Sequence, residues 1–289
     1  MGAPHMAGDR MAFAALCIPI PASLVLGLGA PAVAAGPFAT VCTPIPASLV
    51  LGLGAPAVTA ESAGPVWLGT HGMLTDGAVF VTAPAMDLSG AHEIVVLWER
   101  DSASAVHFMA CTTQGTQYTH TNASTTALRG GVWDGSVSRA ASIAGALSGR
   151  HLTHLAIEKS GSTHTPWVAV DGGAAASDGS GLPLTLTAAL IRIAQNPGSL
   201  AASAAGLRLR EITIYIGGAL SANDRAALYA SGVPGDMRTR IVRQPARYYD
   251  LSNFYDSGAG VWKVSDLITT DGTTDGTVVG GDNTDFVAV

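Results

Sequence analysis

From about Pro65 onward the chain is written in short segments whose apolar residues recur at alternate positions, each segment closed by Gly, Asp or Ser. Alternate side chains of an extended backbone point to opposite faces, whereas a helix returns every 3.6 residues, so this rhythm commits the chain to strands with a buried face. Candidate strands cover residues 78–82, 92–99, 105–112, 117–121, 127–133, 151–158, 166–170, 184–186, 190–194 and 208–216. Ten strands between turn residues, with almost no helix, is the count of a jelly-roll sandwich. One short helix interrupts the rhythm: Ser221 caps it, Asp224 stands at its third position as the acid of a capping box, and Gly232 closes it.

Charge narrows the function classes. Only 12% of the 289 residues are charged, the formal net charge is −6, and Lys159 and Lys263 are the only lysines. A protein that coats nucleic acid needs the opposite balance, and a coiled coil or a charged disordered tail needs far more charge. Three cysteines, Cys17, Cys42 and Cys111, are too few for a disulfide scaffold, and no C-x-x-C pair suggests zinc. Cys17 and Cys42 hold matching places in a repeat, which leaves a disulfide or intersubunit bond open beside the simpler reading as small apolar residues.

That repeat is the second organising feature. Residues 17–33 reappear as residues 42–58 with one change, Ile18 to Thr43, at an offset of 25. Read as a strand, each copy puts its leucines on one face, Leu24, Leu26 and Leu28 in the first and Leu49, Leu51 and Leu53 in the second, with Ser, Val and Gly on the other. A lone strand with an apolar face is unstable until it joins a partner, so the six leucines are expected to dock the chain onto other subunits. The alternative is a duplication that lengthens a stalk. The Pro-Ala-Ser-Leu-x-Leu-x-Leu-Gly-Ala-Pro-x-Val pattern resembles short repeats in structural proteins of tailed bacteriophages, which implies a virion protein with other capsid or tail subunits as partners. Arg10 and the apolar run to Ala35 also resemble a secretory signal, but the run recurs downstream without a basic leader, and Pro19, Pro21 and Pro31 interrupt it as a membrane span.

The order of motifs in the central part carries a second resemblance. His151-Leu-Thr-His-Leu-Ala-Ile-Glu158, Trp167-Val-Ala-Val-Asp-Gly172, Leu190-Ile-Arg-Ile-Ala194, Leu207 to Tyr215 and Ala219-Leu-Ser-Ala-Asn-Asp224 resemble the back half of a concanavalin A-like, laminin G-like domain. The expected organisation is all-β: an extended repeat arm over 1–62, a concanavalin A-like jelly-roll sandwich over 63–234, and a small β-rich extension over 235–289.

That family contains lectins and glucan hydrolases. Retaining hydrolysis needs two carboxylates about 5 Å apart, hence acids two or four positions apart on a strand, and no Glu-x-Asp-x-x-Glu pattern appears; Glu93 and Glu99 lie six apart, and Glu99-Arg100-Asp101 reads as a polar strand end and turn. No enzyme is expected. His151 and His154, three apart on one strand, face opposite sides and cannot share a metal ion. A shallow sugar site is expected at Trp133, Asp134, Tyr118, His120 and Asn122, with Asn196 nearby, since aromatic platforms with adjoining amides and carboxylates bind sugars; Trp98 and Trp167 read as core. No cofactor is expected, although Gly280–Ala288 echoes a calcium-binding nonapeptide and Asp271, Asp275, Asp282 and Asp285 are the acids that would surround such an ion. Arg238, Arg240, Arg243 and Arg247 form an interaction-prone cluster that either meets a partner or straps the sandwich. The reading is a non-enzymatic virion protein, a capsid-decorating, head-fibre or tail-fibre component, a homo-oligomer such as a trimer, displaying a lectin-like domain for a host surface glycan, with no nucleic-acid partner and no membrane span. A secreted glycan-binding protein is the rival.

Overall fold

A computed structural model describes residues 71–230 and 236–288. The leucines of the two repeats, with Cys17 and Cys42, lie outside the described residues, as does Gly232.

The strands are β1 (His71–Leu74), β2 (Phe80–Met86), β3 (His92–Arg100), β4 (His107–Gln114), β5 (Gln117–Ala123), β6 (Ala127–Trp133), β7 (Ser138–Ala144) and β8 (Gly149–Ser160). There follow β9 (Thr163–Val170), β10 (Leu182–Pro183), β11 (Ala189–Ile193), β12 (Leu207–Ile216), helix α1 (Ala222–Tyr229), β13 (Arg247–Asp256), β14 (Trp262–Asp266), β15 (Gly276–Val279) and β16 (Phe286–Ala288). All pairings are antiparallel and run in the order β10-β9-β8-β3-β12-β13-β14-β15-β2-β11-β4-β5-β6-β7, with β1 joining β12 and β16 joining β1. The sheet folds back on itself so that β6 and β7 pack over β9, which makes it an all-β sandwich of the jelly-roll class.

Alternation builds the core. Ile94, Val96 and Trp98 of β3, Leu155 and Ile157 of β8, and Ile212 and Ile214 of β12 point inward; they meet Val81, Ile191, Ile193, Leu128 and Val132 of the facing layer. The layers approach closely at Gly130, where an added Cβ would lie 2.6 Å from Leu155 Cδ1. Trp98 is fully buried and donates from Nε1 to Thr153 Oγ1 at 2.8 Å. Trp167 is half-buried, its Nε1 enclosed without a hydrogen-bond partner.

The opposite face of β3, β8 and β12 is covered too. Val95, Leu97, Leu152 and Tyr215 pack under Leu228 of α1 and under Met237 and Ile241, forming a second apolar cluster. The capping box at Ser221 and Asp224 forms as the spacing predicts, but the helix ends at Ala230, which takes the left-handed conformation (φ 43°) ahead of the expected glycine. Beneath it the buried Glu93 accepts from His154 Nδ1 (2.8 Å), Leu220 N (2.7 Å) and Arg225 Nη2 (3.1 Å). Burial alone would push this carboxyl up, yet His154 and Arg225 hold it below the usual carboxylate range.

Two strands exceed the sequence expectation in this region, β1 and β7; Ser138 to Ala144 offers little apolar bulk because β7 is an edge paired only to β6. The larger difference is at the C-terminus. The stretch beginning at Arg247 is a ten-residue strand, and β13, β14 and β15 lie within the sheet between β12 and β2.

Candidate functional site

The outer face of β4, β5 and β6 carries the aromatic rings of Phe108, Tyr118, His120 and Trp133. Parity from Tyr118 places His120 and Asn122 on the same side of β5, and register sets them opposite Trp133, Gly131 and Arg129 of β6. The Tyr118 and Trp133 rings stack with centroids 6.0 Å apart and planes 19° from parallel. His120 meets Tyr118 edge-on at 5.7 Å and Phe108 of β4 at 6.0 Å, extending the pair into an aromatic strip. The strip exists because Gly131 is bare: a Cβ there would lie 2.5 Å from His120 Cε1.

A groove of about 340 Å³ opens beside the stacked pair, walled by Gly115, Thr116, Gly135, Pro197, Gly198 and Leu200. The loop after β11 forms the far wall. Arg192 donates from Nη1 to Gln195 Oε1 (2.6 Å), and Gln195 donates from Nε2 to the Leu200 carbonyl (2.7 Å), so a buried amide sets the loop's height. Asn196 is consumed in the same turn, accepting from Gly198 N at 2.9 Å. Leu200 sits at φ 58° and is 52% exposed, an apolar side chain displayed at the groove edge on a left-handed backbone.

The polar members play distinct parts. Asp134 accepts at one oxygen from Ser136 N, Ser136 Oγ and Val137 N, all at 2.8–2.9 Å, which fixes the β6–β7 turn and holds its carboxyl below the usual range. Burial pushes His120 down to about 4, helped by the charge of Arg129, so the imidazole is neutral and its enclosed Nδ1 has no partner. Asn122 lies farther along β5, buried, its Oδ1 also without a partner. Cys111, opposite His120, donates to the Gln195 carbonyl, and burial pushes its thiol up to about 12. The sequence reading named Tyr118, Trp133, His120, Asn122 and Asp134, which the structure places on β5, β6 and the turn after β6. It missed Phe108 and Leu200, because cross-strand register and loop height carry no short-range signal.

The remaining candidates sit elsewhere. Arg238 pairs with Asp236 and lies over the Tyr248 ring at 5.1 Å, Arg240 donates to the Ala227 and Leu228 carbonyls at the end of α1, Arg243 to the Ile216 and Ala219 carbonyls, and Arg247 pairs with Asp266. All four therefore bond within this chain. Asp271 and Asp275 line one groove, with Tyr255, whereas Asp282 and Asp285 line another, with Asp76. Among the described residues no three His, Cys, Asp or Glu are gathered closely enough to hold a metal ion, and no helix is long and apolar enough to cross a membrane. His151 bonds to Asp171 at 2.7 Å, on the face opposite His154.

No family model matches the chain, and no curated protein matches its sequence. Solved structures do. A "putative carbohydrate binding protein" from Bacteroides ovatus is 13% identical with a TM-score of 0.50, over 74% of this chain and 59% of that one. Domains LG4-5 of the mouse laminin α1 chain are 13% identical with a TM-score of 0.42, over 55% and 45%. The CBM40 of Ruminococcus gnavus IT-sialidase, bound to α2,3 sialyllactose, is 13% identical with a TM-score of 0.41, over 56% and 100%. The chain thus spans less than two thirds of the Bacteroides and laminin chains. At this identity the likeness is one of fold: an all-β jelly-roll sandwich.

Proposed function

We propose that this chain is a non-enzymatic glycan-binding protein whose sandwich holds a saccharide on the Tyr118–Trp133 pair. The observation that carries the reading is that pair itself, parallel, half-buried and set beside a groove with polar and backbone rims. A sugar ring's apolar face stacks on such a surface while its hydroxyls reach the rim. The non-enzymatic part rests on the carboxylates: Asp134 is tied into its turn, and Glu93 is sealed beneath α1 on the other layer, so neither supplies a partner for two-carboxylate chemistry at the groove.

We further propose, from the repeated leucine pattern alone, that the arm tethers this lectin-like domain to a larger assembly of the tailed-phage virion type. The test of the binding reading is a glycan array probed with the full chain, its Trp133→Ala variant and its Tyr118→Ala variant. Each substitution should weaken binding at least about tenfold, as removal of a central aromatic anchor does. Undiminished binding by both variants, or no binding by the parent chain, would overturn it. The arm is tested by Leu24→Asp with Leu49→Asp: incorporation into particles should be lost while glycan binding persists.

A further inference from the structure

We infer that the ligand of the platform is an acidic saccharide, its ring on Tyr118 and Trp133 and its carboxylate or sulfate at Arg129; this rests on the platform reading above. Charge is unevenly placed in the chain. The whole sequence carries −6, yet from residue 102 to residue 148 it holds one carboxylate, Asp134, against Arg129 and Arg139. From residue 179 to residue 210 it holds none. Those two stretches supply β4 to β7 and β11, so the layer that bears the platform is acid-poor inside an acidic molecule.

Within that layer the charges lie along a line. β6 presents Trp133, Gly131 and Arg129 in turn on the platform face. At a strand rise of roughly 3.3 Å per residue, Arg129 lies about 13 Å from Trp133, the span of a short oligosaccharide. Nothing on β6 stands between them because Gly131 has no side chain, and the floor beside it is the neutral His120 ring. Arg129 is exposed and forms no ion pair among the described residues. Arg192 adds a second positive charge on this face; its Nε donates to Thr113 Oγ1 at 2.9 Å, and Thr113 is the cross-strand neighbour of Tyr118. Asp134 marks the other end. An anionic group is repelled at the Trp133–Asp134 end and attracted at the Arg129 end, so the charges fix the ligand's direction as well as its class.

The test is an array in which each neutral glycan is matched with its sialylated, uronate-bearing and sulfated derivatives, probed with the full chain and three variants. Acidic members should bind about tenfold more strongly than their neutral parents, as a charge-assisted bond to arginine gives. Arg129→Gln should bring them down to the parent level and leave the parents unchanged, Arg129→Lys should keep most of the preference, and Trp133→Ala should abolish both. Preference for the sialylated and uronate members identifies a carboxylate, and preference for the sulfated members a sulfate. Equal binding of neutral and acidic glycans, or a preference that survives Arg129→Gln, overturns the acidic ligand and leaves the platform standing. Binding that survives Trp133→Ala, or no binding anywhere on the array, overturns the platform and the inference with it.

Discussion

At Gly131 an added Cβ would lie 2.5 Å from His120 Cε1 and 3.1 Å from the Arg139 carbonyl, so the aromatic strip and the bare strand position depend on each other. Gly131→Ala should cost about 1–3 kcal/mol in urea denaturation, the usual cost of overpacking, and most of that cost should vanish in a His120→Ala background. Additive costs in the double variant would mean that the clash is not with His120. Two histidines also set a pH dependence. Burial holds both His92 and His120 down to about 4 from 6.5, so both are neutral in the fold and charge more readily when unfolded. Their contribution is therefore complete above pH 6.5, declines as pH falls from about 6.5 to about 4, and is spent below that; for the fully buried His92 it amounts to roughly 3 kcal/mol. His151 works the other way, since the hydrogen bond and charge of Asp171 outweigh its burial and raise it. Urea midpoints measured from pH 7.5 to pH 4 should fall, and should fall less for His92→Gln; a profile identical in the variant would refute the assignment. Single-residue chemistry of this kind was partly legible in the sequence. Trp133 before Asp134-Gly135 marked an aromatic at a turn, which the fold leaves half-buried, whereas the burial of His92 depends on neighbours from distant strands.

Elements show the same division between local and distant signals. The cap of α1 was readable because Ser221 and Asp224 lie three apart, and Ser221→Ala should cost about 1 kcal/mol. The two glutamates of β3 looked alike in sequence and are not alike in the fold. Glu99 sits partly exposed between Arg150 (3.1 Å) and Arg208 (3.5 Å), while Glu93 is sealed under α1 with His154, Arg225 and the Leu220 amide. Removing Glu93 leaves a buried histidine, a guanidinium and an amide without their acceptor, a loss of about 3–5 kcal/mol; removing Glu99 should cost about 1 kcal/mol or less. Denaturation of Glu93→Ala beside Glu99→Ala measures the difference directly. Equal losses would show that α1 is not latched through Glu93. The contrast was hidden in the sequence because it depends on which layer a helix 130 residues downstream comes to cover.

For the whole molecule, the order of strands along the chain differs from their order in space. The sequence reading sets residues 235–289 apart from the sandwich, with residues 261–268 and 277–289 as further strands too few to form a core of their own. In the fold they have no need of one: β13 pairs with β12, β14 and β15 continue the ladder, and β15 pairs with β2, so the C-terminal strands join the two layers. Tyr249, Leu251, Val264 and Val278 carry the core across that junction. Period-two alternation reveals that such segments are strands but says nothing about which edges they meet, and here the partner β2 lies at the opposite end of the described chain. A chain truncated after Ala246 would expose the second edge of β12 and the edge of β2 together with the apolar face those strands cover. It should therefore lose cooperative thermal unfolding and near-ultraviolet circular dichroism while keeping strand-rich far-ultraviolet signal. A Trp262→Ala chain, full in length, should keep its cooperative transition at a reduced midpoint. If the truncated chain melts as sharply as the full one, the two layers are held by their facing side chains alone, and the C-terminal strands are a cover for the sandwich and not its hinge.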